Sequence, residues 1–249
     1  MMQNTIQAVP SIFYPESDGK PMAETEVHRD LMIDFIQILK HYYKDREDVC
    51  ISGNMFMYYE EGDATKSVAP DVFVAFGVAK KQRRTYLTWE EGRTPNFVLE
   101  IASPSTFKDD IEKKKELYAS VLEVKEYFIY DPLGEIVPSF IGFRLNDGVY
   151  EEIDFVNDRL PSFELGLELG EHQGILKLYD PTTSDWLQTL PERAETAEER
   201  AETAEERAET AEERAETAEE RAETAEERAE TAEAELEKVL EEIKRLRRK

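Results

Sequence analysis

The sequence predicts a strand-rich α/β domain followed by one long helix, on three observations. Apolar segments at 96–102 and 126–130 flank an amphipathic segment at 107–122, the strand–helix–strand pattern of a βαβ unit. Asn146-Asp147-Gly148 separates two strand-like runs and marks a hairpin. From Glu192 to Glu233 the heptad Glu-Arg-Ala-Glu-Thr-Ala-Glu repeats six times without variation, and glycine and aromatic residues are absent from there to the end. Pro191 marks the join, because proline is tolerated at a helix start but not inside one. The expected division is therefore a domain at residues 1–190 and a heptad-repeat helix at residues 191–249.

A first helix is expected over 24–43, where Val27, Leu31, Ile33, Phe35, Ile38 and Leu39 form an apolar stripe. Strands follow at 49–52 and 55–60, separated by Gly53-Asn54, and Pro70-Asp71 opens a third at 72–76. A basic loop, Lys80-Lys81-Gln82-Arg83-Arg84, leads towards the strand 96–102. The helix 107–122 begins with Thr106 and Asp109 spaced as a variant capping box, and Asp109, Asp110 and Glu112 load its first turn with negative charge. Its apolar positions are Ile111, Leu117, Tyr118, Val121 and Leu122. Lys114 shares that stripe, whereas Lys113 points further away. The strand 126–130 ends at Asp131-Pro132, and the hairpin joins 139–145 to 149–155.

Composition narrows the function classes. Asp and Glu number 56 against 31 Lys and Arg, a formal charge of −25. That balance argues against a protein that coats nucleic acid, and it leaves room for a local basic patch. The loop 80–84 reads equally well as a DNA-backbone contact or as a solvated loop. The single cysteine, Cys50, sits between Val49 and Ile51 and reads as a small core residue in a reducing compartment. No leader of basic then apolar residues and no apolar run of about 18 residues is present, so a soluble, cytoplasmic chain without a membrane partner is expected. The lack of a Cys/His cluster argues against zinc, and the lack of a Gly-rich loop before a lysine argues against nucleotide hydrolysis. His28, His41 and His172 read as core or capping residues, although His28 lies near enough to Glu26 to approach a site there.

Two acids interrupt runs that otherwise read as buried strands. Asp71 stands at the start of Val-Phe-Val-Ala-Phe, and Glu100 lies inside Asn-Phe-Val-Leu-Glu-Ile-Ala. A carboxylate in such a place needs a hydrogen-bond partner, a cation or a metal. If the strands are neighbours, Asp71 and Glu100 converge on one hard cation. Mg2+ takes few carboxylates and keeps several waters, which suits a site of two or three acids. The metal lowers the pKa of a bound water and clamps a phosphate, and Lys114 on the next helix orients that water or offsets charge. A structural reading competes with this one. Asp71 then terminates a strand or accepts loop hydrogen bonds, Glu100 pairs with a nearby Arg or Lys, and Lys114 snorkels from a stripe edge.

These residues resemble the Uma2 family. The resemblance rests on Gly53-Asn-Met-Phe, Pro70-Asp71-Val-Phe-Val, Glu100-Ile-Ala-Ser-Pro-Ser-Thr106, Asp110-x-x-x-Lys114-x-x-x-Tyr118 and Glu126-Tyr-Phe-Ile-Tyr-Asp131-Pro132, and it covers residues 22–169. That family is similar to PD-(D/E)XK nucleases. The resemblance implies a restriction-endonuclease-like core, a mixed β-sheet flanked by helices, with Asp71 and Glu100 as ligands of Mg2+ and DNA as substrate. It also suggests a catalytic acid on the first helix, for which Glu26 is the matching position. One departure is plain: the superfamily lysine falls at Ala102 here, and Lys114 takes its place from the following helix. A catalytically inactive nuclease-fold adaptor is the competing class.

In the tail, alanines from Ala194 and Ala197 onward alternate in spacings of three and four, and the register continues through Leu236, Val239, Ile243 and Leu246. That is a coiled-coil seam, small along most of its length. Arg200 and its equivalents fall at g and Glu198 and Glu205 at e, so a parallel homodimer through residues 192–249 pairs opposite charges. The competing reading is a single solvated helix grown by repeat duplication.

Overall fold

The computed structural model describes residues 12–17, 19 and 25–246. It divides into two units, residues 1–190 and residues 191–249.

Helix α1 (Glu26–Tyr42) starts at Thr25, whose hydroxyl accepts from the His28 N–H at 3.2 Å, with Glu26 in the first turn and Lys40 and His41 in the last. It buries Leu31, Met32, Phe35, Ile38 and Leu39; Val27 and Ile33, expected on that stripe, are exposed. Strands β1 (Val49–Ser52), β2 (Met57–Tyr58), β3 (Ser67–Val68), β4 (Val72–Phe76) and β5 (Tyr86–Leu87) follow, then a single turn α2 (Thr88–Glu91) and β6 (Phe97–Ile101). The expected strand 55–60 is thus reduced to its two central residues.

The segment after β6 is not a plain α-helix. Asp109–Lys114 forms a π-helical turn that runs into α3 (Lys115–Ser120). Thr106 does not cap it as expected: its hydroxyl accepts from the Ser103 N–H at 3.0 Å instead. Val121, expected to be buried, is exposed. The chain continues with β7 (Glu126–Tyr130), β8 (Phe140–Asn146) and β9 (Val149–Glu152). The hairpin between the last two turns at Asp147 and Gly148, with φ of 47° and 82°, the paired positive values such a two-residue turn requires. Four further strands, β10 (Arg159–Ser162), β11 (Leu167–His172), β12 (Ile175–Asp180) and β13 (Asp185–Trp186), complete the unit.

The central six-stranded sheet has the order β1-β4-β6-β7-β8-β9. Only the β6–β7 pair is parallel, bridged by the π-turn and α3, which is the βαβ unit read from the sequence. Alternate residues point to opposite faces, and both faces are covered. On one, Val49, Ile51, Val72, Val74, Leu99 and Ile101 pack against α1 and the sheet β10-β11-β12-β13. On the other, Cys50, Phe73, Ala75, Val98 and Ala102 pack with Tyr118, Ala119, Met57 and Tyr86. A mixed sheet flanked by helices is the restriction-endonuclease-like core the sequence led us to expect.

The second unit is taken up by α4 (Leu190–Leu246), none of whose described residues is buried. The hydroxyls of Thr203, Thr210, Thr217, Thr224 and Thr231 each donate to the glutamate carbonyl four residues back, at 2.8–2.9 Å. Leu236, Val239, Ile243 and Leu246 are exposed along it. Among the described residues, no helix is long and apolar enough to cross a membrane.

Candidate active site

Antiparallel pairing of β4 with β6 sets Val72 opposite Leu99. One further step in that register places Asp71 beside Glu100, although Pro70-Asp71 precedes the strand. The link is made by hydrogen bonding: the Ile101 N–H donates to Asp71 Oδ2 at 2.7 Å. Glu100 points to the same sheet face as Val98 and Ala102, beneath the π-turn and α3. Its side chain is only 1% exposed, and its Oε1 accepts from the Tyr118 hydroxyl at 2.6 Å. Lys114 Nζ lies 2.9 Å from Glu100 Oε2 and 2.8 Å from Asp110 Oδ1. From α1, His28 Nε2 reaches within 3.3 Å of Asp71 Oδ1.

Three of the four residues expected to act together are therefore brought together: Asp71, Glu100 and Lys114. Glu26 is placed elsewhere, with its side chain 82% exposed and paired to Arg29. The α1 residue that meets Asp71 is His28, two positions on and therefore on a different side of the helix. Asp110 is the residue the sequence reading missed. It was assigned to the helix dipole, yet it is buried and holds Lys114. Its spacing four before Lys114 is the signal that could have found it.

The electrostatics follow from burial and crowding. Burial pushes the Glu100 carboxyl up to about 8, with Asp71 and Asp110 adding to the rise and Lys114 opposing it. Burial likewise raises Asp110, against the pull of Lys114. At Asp71 burial is outweighed by His28, the Ile101 N–H and Lys114, and the carboxyl stays below its usual range. Burial works against the Lys114 ammonium, but Glu100 and Asp110 hold its pKa above the ordinary lysine value.

Other buried acids in the domain show what a purely structural carboxylate looks like. Asp131 takes the N–H groups of Leu133 and Ile136, one on each oxygen. Glu126 takes the Phe163 N–H on Oε1 and the Ser162 hydroxyl on Oε2. By contrast, Glu100 Oε2 and Asp110 Oδ1 are buried without a well-directed hydrogen bond and meet Lys114 only as ion pairs. Unsatisfied buried oxygens are rare and point to function or to an ion.

Elsewhere, half of the basic loop is committed to structure. Arg83 is buried against Glu91, at 2.8 Å to each carboxylate oxygen, and Arg84 pairs with Glu16. Cys50 is buried, as expected of a core thiol, and burial pushes its pKa up. His172 stacks on Trp186.

A family model named Uma2, described as "putative restriction endonuclease", matches residues 12–172. The chain belongs to the Uma2 family. A second model, described as the alanine zipper of the major outer membrane lipoprotein, matches residues 186–249. Among solved structures, a crystal structure described as that of a "putative nuclease" from Anabaena variabilis is 16% identical, over 60% of this chain and 81% of its own, with a TM-score of 0.43. No curated protein matches the chain.

The residues of this Uma2 domain fit a hard divalent cation. Among the described residues no three His, Cys, Asp or Glu side chains converge as a ready-made metal cage. Mg2+ asks for less, since it is held by one or two carboxylates and keeps its waters. The available donors are carboxylate oxygens, and the poorly satisfied Glu100 Oε2 is among them. Three acids face one lysine and one histidine here, so added positive charge relieves the strain that raises Glu100.

Proposed function

We propose that this chain is a Mg2+-dependent endonuclease that hydrolyses DNA phosphodiester bonds. The observation that carries the reading is the convergence of Asp71, Glu100, Asp110 and Lys114 at one end of the central sheet, with two carboxylate oxygens left for a cation. Asp71 and Glu100 are the metal ligands. When bound, the metal activates a water and stabilises charge on the scissile phosphate. The protein's own groups do the positioning. The Ile101 N–H and His28 fix the Asp71 carboxylate, and the Tyr118 hydroxyl fixes Glu100 through one oxygen. Lys114, kept protonated by Glu100 and Asp110, supplies positive charge to the phosphate. Hydrolysis forms one bond from water oxygen to phosphorus and breaks one ester P–O bond. Glu26 has no part in this arrangement.

The tail is proposed to join two chains as a parallel homodimer through residues 192–249, which sets two single-cut sites side by side for the two strands of a duplex. A second reading, a catalytically inactive adaptor with the same fold, is favoured by Lys114, which partly neutralises the cluster without metal. Metal-dependent cleavage of plasmid and single-stranded DNA by the purified full-length chain tests both. Cleavage with Mg2+ that stops with EDTA is the expected result; no cleavage of any nucleic acid under any divalent metal favours the adaptor.

A further inference from the structure

We propose that the cavity along the free edge of β1 is a phosphate subsite that holds the DNA backbone upstream or downstream of the cut. This inference rests on the nuclease reading above. The central sheet ends at β1, so one side of Val49–Ser52 has no neighbouring strand. A cavity of about 390 Å3 lies against that strand, closed by Lys40 and Tyr43 of α1 and by residues 80–83.

The charge of this wall is what sets it apart. Lys40, Lys80, Lys81 and Arg83 line it and no acidic residue does, in a chain where acids outnumber bases 56 to 31. Arg83 is immobilised by Glu91 and by the Ala79 carbonyl at 2.7 Å, and Lys81 Nζ lies 3.0 Å from the same Glu91. One carboxylate therefore serves two cations. The Lys80 ammonium donates to the Lys44 carbonyl at 3.0 Å, which fixes it but cancels none of its charge. Lys40, exposed at the last turn of α1, makes no ion pair among the described residues. A wall with such an excess of positive charge suits an anion.

Position identifies the anion as part of the same substrate. Ser52 pairs with Phe73 and Cys50 with Ala75, so the cavity strand starts next to the residue that follows Asp71 by two. With strands ~4.8 Å apart and a rise of ~3.4 Å per residue, the span from Ser52 to Cys50 lies roughly 8–14 Å from Asp71. Phosphates of one DNA strand advance ~3.4 Å each along the axis, which places about two to four of them over that distance. A free phosphate has no need of several cations drawn out along a groove; a phosphodiester chain does.

The test is fluorescence anisotropy of the full-length protein with a short labelled DNA, single-stranded and duplex, over a range of salt. It is run with EDTA, and again with Mg2+ in an Asp71→Asn background, so that binding is read without cutting. Each phosphate contact contributes about 0.9 to the slope of log K against log salt on a duplex and about 0.7 on a single strand. Replacing both Lys40 and Lys80 by Ala should flatten the slope by about 1.4–1.8, and replacing both by Arg should restore it. Lys66→Ala, on the distant β2–β3 turn, should leave it unchanged. A parent that binds DNA with a slope the double variant does not alter overturns the subsite and leaves the nuclease reading standing. A parent that binds no DNA under either condition overturns both.

Discussion

Gly53 packs directly on the backbone of Asp71: a Cβ placed on it would collide with the Asp71 carbonyl oxygen and come within 2.9 Å of the Ile36 side chain. The missing side chain lets the chain leaving β1 lie against the residue that opens β4, and the Asn54 N–H donates to the Pro70 carbonyl at 2.8 Å. Gly53→Ala must push Asp71 away from Glu100. The expected cost is about 1–3 kcal/mol of stability, as for other overpacked sites. Cleavage should fall by more than the loss of folded protein explains. Thermal melts alongside cleavage rates check this, and a folded variant with parental activity would show that the contact positions nothing.

Asp71→Asn and Glu100→Gln keep size and shape while removing the carboxylates offered to the metal. Both should abolish Mg2+-dependent cleavage and leave the far-UV circular dichroism unchanged. Undiminished cleavage in both variants removes the cluster from consideration.

Lys114 and Lys113 are neighbours with different surroundings. Lys113 is exposed and pairs with Asp109 at 2.7 Å, whereas Lys114 spans two buried carboxylates. Lys114→Ala should reduce the cleavage rate by about 10²–10³, the scale of losing one charge-stabilising group at a reacting centre. Lys113→Ala should stay close to the parent. Equal losses from the two would reduce both to a diffuse basic patch.

Glu91 gives a pH dependence that does not involve the cluster. Its carboxyl is held below the ordinary value chiefly by the hydrogen bond from Arg83, with burial opposing and Lys81 assisting. A folded pKa below the unfolded one means that the pair stabilises the protein above about pH 4.3. That contribution is lost as the pH falls through the depressed value. Urea melts should therefore show Glu91→Gln less stable than the parent at pH 7, with the gap closing in strong acid. A gap that stays constant across that range would exclude the ion pair as its source.

The tail should control self-association. Light scattering on the full-length chain is expected to show a dimer. It should weaken on truncation after Leu190, and on combining Leu236→Asp with Ile243→Asp. Rising salt should loosen it as well, because exposed ion pairs are screened over ~8 Å at physiological ionic strength. A chain that stays monomeric at high concentration, or a dimer that survives truncation, excludes the tail as the cause.

Much of this architecture was legible because it is written in local patterns. Periodicity located α1, β1, β4, β6 and β7, and the Asp147-Gly148 turn located the β8–β9 hairpin. Asp71 and Glu100 were legible as acids in apolar strands, where only a partner or an ion explains them. Less was legible where partners come from far along the chain. β2, β3 and β5 are two-residue strands, too short for any period to show. The strands after Arg159 were overlooked because their alternation is broken by turns and half-exposed residues. Asp110 was hidden by its neighbours Asp109 and Glu112, which make it look like one more charge in a helix start. His28 and Glu26 differ by two residues on α1, and only the docking angle of the helix decides which of them turns towards Asp71.

The π-helical turn at Asp109–Lys114 makes the site sensitive to chain length as well as to chemistry. A π-turn carries more residues per turn than the α-helix it joins. Removing one residue from it lets the segment relax to ordinary α-helix and rotates everything after it by about 100° relative to what precedes it. Asp110 and Tyr118, which approach Glu100 from the two ends of that segment, then no longer share a direction. The domain can absorb many substitutions on this helix, but a one-residue deletion between Asp109 and Lys114 disassembles the cluster while altering none of its members.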